Sequence, residues 1–189
     1  LLLVLAMLLS LAACAQPGKM NDTNSQESAY PITVTDHAGR QVVIEKEPQR
    51  LVSGYYISSS LLIALDLDEK LVGIEAKANK RAIYALSAPE LIDLPNVGTA
   101  KEFDLEGCAA LEPDLVILPI KLKSAVETLE GLGIDGLLVN PENQELLTEM
   151  VHLIAAATNT EEQADALTKG QYIFPVQPVI EPETEAPTE

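Results

Sequence analysis

The sequence predicts an open parallel α/β sheet with helices on both faces, preceded by a short β-hairpin. Three observations lead there. Four short apolar runs, Arg50–Ser53, Leu71–Ile74, Asp114–Leu118 and Gly136–Val139, are continuous rather than alternating, as in strands buried on both faces. Stretches of helical spacing separate most of them, and parallel neighbours need such crossovers, which are right-handed almost without exception. A chain of 189 residues, 47% hydrophobic and 22% charged, has a globular composition.

Taken in order, Ile32–Thr35 and Gln41–Ile44 flank Asp36-His37-Ala38-Gly39, two short strands around a turn. After Pro48 the strand runs begin, with helices expected over Ser58–Leu65, Leu105–Leu111, Ser124–Leu132 and Asn143–Ala157. Asp104 can cap the helix that follows it. Ser124 with Glu127 fits a capping box, and Thr160 with Gln163 fits a second that opens one more helix. The expected organisation is a leader over 1–14, a tether over 15–30, one α/β lobe over 31–158, the start of a further helix over 159–169, and a Pro/Glu-rich tail over 170–189.

Leu1–Ala13 is an apolar run too short to span a bilayer comfortably, and it reads as the h-region of a secretory signal. The expectation is that a few residues before Leu1 are missing. Leu11-Ala12-Ala13-Cys14 looks like a lipobox, whose Cys14 thiol would be acylated to anchor the protein on the extracytoplasmic face of a bacterial membrane. The polar stretch Gln16–Ala29 would then hold a domain off that membrane.

Twelve Lys and Arg against 29 Asp and Glu give a formal charge of −17, which repels phosphate backbones and argues against a nucleic-acid partner. Aromatic residues are only 4% of the chain, with no Trp, so stacking platforms are scarce. The two Cys and two His lie far apart, with neither a disulfide framework nor a zinc spacing; no metal site and no cofactor is implied.

Gly131-Leu-Gly133-Ile-Asp-Gly136 matches a dinucleotide fingerprint in letters only. The fingerprint needs a strand before it and a helix after it, whereas here a helix precedes and a strand follows, so Gly131 or Gly133 ends a helix. No Walker loop, nucleophile elbow or HExxH is present. Cys108 sits in an apolar helical stretch without a nearby His or Lys, as a buried inert thiol does. His37 is expected as an exposed turn residue and His152 on a helix face.

Ligands of open parallel sheets sit beyond the carboxyl ends of the strands. The loop after the first sheet strand, Gly54-Tyr55-Tyr56-Ile57-Ser58-Ser59-Ser60, puts two tyrosines and a hydroxyl cluster at a helix start. Lys77, Lys80, Arg81, Lys101, Lys121 and Lys123, six of the twelve basic residues, map to the same edge; they form either a local positive rim for an anionic ligand or simply solvated loop charges. Tyr84 falls nearby as a stacking face or phenol.

Tyr30–Ile44, Pro48-Gln-Arg-Leu-Val-Ser, Leu71-Val-Gly-Ile, Leu94-Pro-Asn-Val-Gly-Thr, Leu105-Glu and Leu111-Glu-Pro-Asp-Leu-Val-Ile together resemble the solute-binding proteins of ABC importers for ferric siderophores, haem and cobalamin. The resemblance covers residues 30 to about 168. It implies two α/β lobes bridged by one helix, a ligand in the cleft between them, and ABC permease subunits as partners. It places Glu106 where the family docks on permease arginines, and it carries the cleft to the loops at Gly54–Ser60, Thr99–Lys101 and Pro119–Lys121. The expected ligand contacts are Tyr55, Tyr56, Ser58, Ser59, Lys77, Tyr84, Thr99, Lys101 and Lys121.

The sequence departs from that pattern after Lys169, where the second lobe would begin, so the expectation is a truncated frame holding the first lobe only. Asp66 stands where the family often has Gly after the first helix. The expected function is binding without catalysis; a surface lipoprotein making protein contacts and a chelatase-like enzyme domain are the alternatives.

Overall fold

Residues 29–170 are described by a computed structural model; Cys14, the expected leader, nearly all of the expected tether, and the expected tail from residue 171 lie outside the described residues. The hairpin strands β1 (Ile32–Thr35) and β2 (Gln41–Ile44) pair antiparallel, Ile32 opposite Ile44. The main sheet contains β3 (Leu51–Ser53), β4 (Leu71–Ile74), β5 (Leu115–Pro119) and β6 (Asp135–Val139), all parallel, in the order β4-β3-β5-β6. The chain therefore winds outward from β3 in one direction and then in the other, and that reversal is where open sheets make crevices.

Period-two alternation explains why the strands carry unbroken apolar runs. Leu115 and Ile117 of β5 and Leu137 and Val139 of β6 face one core with Ile44, Leu62, Met150 and Ile154. Their neighbours Val116, Leu118 and Leu138 face a second core with Val52, Val97, Cys108, Val126 and Leu129. Helices α1 (Tyr56–Ala64), α5 (Gln144–Thr158) and α6 (Glu161–Thr168) contribute to the first layer, and α3 (Leu105–Ala110) and α4 (Lys123–Glu130) to the second. The short α2 (Ala82–Ser87) and the 3-10 turns around it fill the β4–α3 connection, a stretch for which the sequence patterns predict no element.

Capping follows the residue types in part. Asp104 accepts from Gly107 N and Asn143 from Leu146 N, so both side chains cap their helices. Neither expected capping box forms. Helix α4 begins at Lys123, which puts Ser124 inside the helix rather than at its cap, and the Thr160 hydroxyl pairs with that of Thr158 rather than with a helix N–H. Asp66 closes α1 in the left-handed region at φ 57°, the conformation that Gly adopts most cheaply. Gly131 caps α4 and Gly133, at φ +83°, turns the chain into β6.

The edge strand β6 would expose unpaired backbone groups, and the hairpin turn covers them. Leu138 N donates to Asp36 Oδ2 at 3.2 Å, His37 N donates to Leu138 O at 3.0 Å, and Arg40 Nη2 donates to Gly136 O at 2.7 Å. Asn140 N donates to His37 Nδ1 at 2.9 Å, so His37 is half-buried and bonded rather than an exposed turn residue. The Asp36 side chain, fully buried, also pairs with Arg40 at 2.7 Å, and Arg40 reaches on to Glu130 at 2.8 Å. Asp36→Ala leaves Arg40 and the Leu138 N–H without this acceptor. The loss is expected at about 3 kcal/mol in urea unfolding, and a loss below about 1 kcal/mol would contradict the edge-sealing role.

Candidate functional site

At the carboxyl ends of β3 and β4 the chain forms a cleft of about 210 Å³, lined by Gly54, Tyr55, Tyr56, Glu75, Ala76, Lys77, Arg81, Gly98, Thr99 and Ala100. Gly54 N donates to Ile117 O at 3.1 Å, and a Cβ on Gly54 would come within 2.5 Å of Leu118 Cδ2, so the chain passes close over β5 before turning into α1. The opposite wall is tied in by Ala76 N donating to Gly98 O at 2.9 Å. Gly98, at φ +84°, adopts a conformation that a side chain would strain, and it starts a tight loop. Thr99 Oγ1 accepts from Lys101 N and Glu102 N within that loop.

The floor is a buried polar network around Glu75, which is 6% exposed. Ser59 Oγ donates to Glu75 Oε2 at 2.6 Å, Tyr84 OH donates to Oε1 at 2.9 Å, and Arg81 Nε donates to Oε1 at 2.9 Å. A carboxylate taken out of water costs several kcal/mol unless donors of this kind surround it. Above the floor, the Arg81 guanidinium carbon lies 4.5 Å from the centroid of the Tyr56 ring, a cation–π arrangement. Tyr55 meets Tyr56 edge-to-face at 5.2 Å between centroids. The result is one wall of aromatic faces and guanidinium, with the exposed Lys77 beside it.

Four of the expected contacts, Tyr55, Tyr56, Lys77 and Thr99, line this cleft together. Ser59 and Tyr84 are fully buried beneath it, so Tyr84 offers no stacking face and acts through Glu75. Ser58 is buried as well, its Oγ without a partner among the described residues. Lys101 is exposed on the adjoining loop and Lys121 is exposed on the turn after β5, and neither is among the lining residues. The basic rim is thus narrower than its map on the sequence: Arg81 Nε is paired with Glu75, and Lys123 lies 3.9 Å from Glu127. Glu106 is exposed on the first turn of α3.

Glu75 and Arg81 are the site residues that sequence reasoning missed, Glu75 outright and Arg81 as anything more than a rim charge. The available signal was an acidic residue directly after the buried run Leu71–Ile74, where the chain leaves the sheet. A wider trough of about 940 Å³ lies between the hairpin and α5, with His37, Glu145, Glu149 and His152 on its walls. Its titratable groups stand on the hairpin turn and on the outer face of α5, away from the strand ends, whereas the smaller cleft has polar groups converging from three chain segments at the strand ends, which is how ligand sites of open sheets are built. Cys108 is buried and its thiol is pushed up to about 11, by burial first and by Asp104 second, consistent with an inert packing role.

A sequence profile of the family described as periplasmic binding protein matches residues 51–170. An uncharacterized ABC transporter substrate-binding lipoprotein of Bacillus subtilis (strain 168), YvrC, is 28% identical over 166 residues, covering 84% of this chain and 50% of that protein. The crystal structure of a periplasmic solute binding protein from Veillonella parvula DSM 2008 superimposes with a TM-score of 0.67 at 27% identity, covering 74% of this chain and 44% of that one. The periplasmic haem-binding protein HutB of Vibrio cholerae gives a TM-score of 0.54 at 26% identity, with 65% and 46% covered. The chain thus spans about half the length of the relatives it matches.

Burial, and next the Glu75 charge, push the Tyr84 phenol up from its ordinary 10.0 to about 12. Burial followed by Glu47 and Glu161 does the same for Tyr30. A phenol whose value is raised by folding adds stability that is complete below the unfolded value and is lost as pH climbs toward the folded one. Ultraviolet titration is expected to show two tyrosines ionising near 12, one of them removed in Tyr84→Phe, and the variant's stability should fall less between pH 10 and about 12. A Tyr84→Phe protein that retains both late tyrosines would contradict the buried network.

Proposed function

The chain belongs to the periplasmic binding protein family, and from that premise we propose that it is the extracytoplasmic substrate-binding component of an ABC importer, or the first lobe of one, for an iron chelate such as a ferric siderophore or for the related haem or cobalamin. The observation that carries the reading is the cleft at the ends of β3 and β4, where Tyr55, Tyr56, Arg81, Lys77 and Thr99 converge. Aromatic faces suit the flat organic surface of a chelate or a porphyrin, and the guanidinium and ammonium suit its anionic oxygens. The name of HutB, a haem-binding protein with the same fold, supports the ligand class.

At about 210 Å³ the cleft falls below the roughly 300 Å³ that encloses a drug-sized ligand, so a chelate seated here keeps an outer face for a second wall. In this reading that wall is the second lobe of the family. Glu106 contacts the permease, Cys14 carries the lipid, and the segment up to residue 30 is the tether. The chain is a carrier in this account and no reaction is assigned to it. One feature favours a surface domain that makes protein contacts instead: Ile83 and Leu86 on α2 stand 56% and 82% exposed.

Titration of the chain with a ferric siderophore, haemin and cobalamin is expected to give saturable binding to at least one, weakened about tenfold by Tyr56→Ala. Binding to none of the three would remove the ligand class and leave the protein-contact reading. In cells, Cys14→Ser should shift the protein from the membrane fraction to the soluble fraction, and continued sedimentation with membranes would remove the anchor. Glu106→Ala should reduce uptake with affinity unchanged, and a loss of affinity would mean that the docking face is misplaced.

A further inference from the structure

Arg81 is held twice over, and only one of its edges is used. Its backbone is fixed at the start of α2, where Arg81 N donates to Ala78 O at 3.0 Å and Arg81 O accepts from Tyr84 N at 3.1 Å. Its Nε donates to Glu75 Oε1 at 2.9 Å, and the guanidinium lies over Tyr56. Neither Nη bonds to any of the described residues, while Arg81 itself lines the cleft. A guanidinium offers five donors in a planar fork, so four remain on the two Nη atoms, and the two along the outer edge match a carboxylate or a comparable planar oxyanion with two parallel bonds.

Glu75 is what makes that edge a fixed one. Both of its oxygens are already met by hydroxyls, Oε2 by Ser59 and Oε1 by Tyr84. For packing alone, a neutral group of the same volume would avoid the desolvation cost of a buried charge. The negative charge does one thing that a neutral group does less well: it holds Arg81 Nε inward, against the loss of side-chain entropy that an unpaired arginine resists.

We infer that Glu75 is a positioning residue which, by gripping Arg81 Nε, locks the guanidinium against the Tyr56 ring with its Nη edge left for the ligand, so that the cleft selects chelates bearing carboxylate or similar oxyanion groups over neutral chelates. The inference rests on the cleft being the ligand site, as proposed above. It narrows the ligand class to anionic chelates and assigns the selectivity to a residue that need not touch the ligand.

The test compares two probes on the full chain, ferric citrate as an anionic chelate and a neutral ferric trihydroxamate, by equilibrium dialysis at fixed ionic strength. The unmodified chain is expected to prefer ferric citrate. Glu75→Gln keeps the shape, lets the amide oxygen accept from Tyr84 while the amide nitrogen donates to the Ser59 hydroxyl, and removes the charge. It should weaken ferric citrate about tenfold and change the trihydroxamate by less than about twofold, the cost of one lost two-point contact. Arg81→Lys keeps the positive charge and loses the fork, and the same pattern is expected; it decides the matter if Glu75→Gln does not fold.

Equal weakening of both probes would assign Glu75 a scaffold role and overturn the inference. Tighter ferric citrate binding in Glu75→Gln would also overturn it, since Glu75 would then be a competitor for Arg81. An unmodified chain that binds the trihydroxamate as tightly as ferric citrate refutes the selectivity and leaves the proposed function standing. If it binds neither probe, the inference fails, and the reading of the cleft then falls only if haemin and cobalamin are not bound either.

Discussion

A carboxylate buried at the end of a parallel strand has to be met by donors from every element around it, and Glu75 imposes that requirement on the cleft. It leaves β4 with 6% of its surface exposed, and Ser59 from α1, Tyr84 from α2 and Arg81 from the α2 start converge on its two oxygens. Three chain segments, the end of β4, α1 and the start of α2, are thereby fixed relative to one another beneath the cleft. Ser59 of the Gly54–Ser60 loop faces inward to meet that network, and the tyrosines of the same loop are left to form the wall. Tyr56 in turn receives Arg81 across its face.

The far edge of the sheet meets a comparable demand with different chemistry. There the open backbone of β6 is paired by a turn whose Asp36, His37 and Arg40 supply acceptors and donors in place of another strand. Asp36 is buried and balanced by Arg40, as Glu75 is by Arg81. One pairing closes the sheet, and the other leaves part of its arginine facing a cavity. Burial of a charge is costly in both, and in both the cost is met by hydrogen bonds as well as by the opposite charge.

Much of this fold was legible because apolar periodicity reports burial directly. The bounds of β1, β2 and β4 agree with the runs read from the sequence, and β3, β5 and β6 differ by a residue or so at their ends. The stretch from Glu75 to Asp93 was not legible. Its short helix and 3-10 turns have too few residues to show a period, and they are held by Tyr84, Ala88 and Leu91 packing into the first core rather than by propensity. Four of the ten lining residues, Glu75, Ala76, Lys77 and Arg81, lie in that stretch. The loop rule found Tyr55, Tyr56, Lys77 and Thr99 because it needs only the strand ends. It could not find Glu75 as a member, because an acidic residue after a strand reads as solvated until the tertiary contacts that bury it are known. It placed Tyr84 too near the ligand for the same reason, and the capping boxes failed where α4 began a residue earlier than its cap and where Thr160 found Thr158 instead.

The family assignment and the local chemistry meet in one claim, that the ends of β3 and β4 are where a ligand sits. Amide spectra recorded during addition of ferric citrate test that claim most directly, because paramagnetic iron broadens the signals of the residues nearest to it. The account predicts broadening centred on Gly54–Tyr56, Glu75–Lys77, Arg81 and Gly98–Ala100. Broadening centred instead on His37, Glu149 and His152, around the trough beside α5, would contradict it.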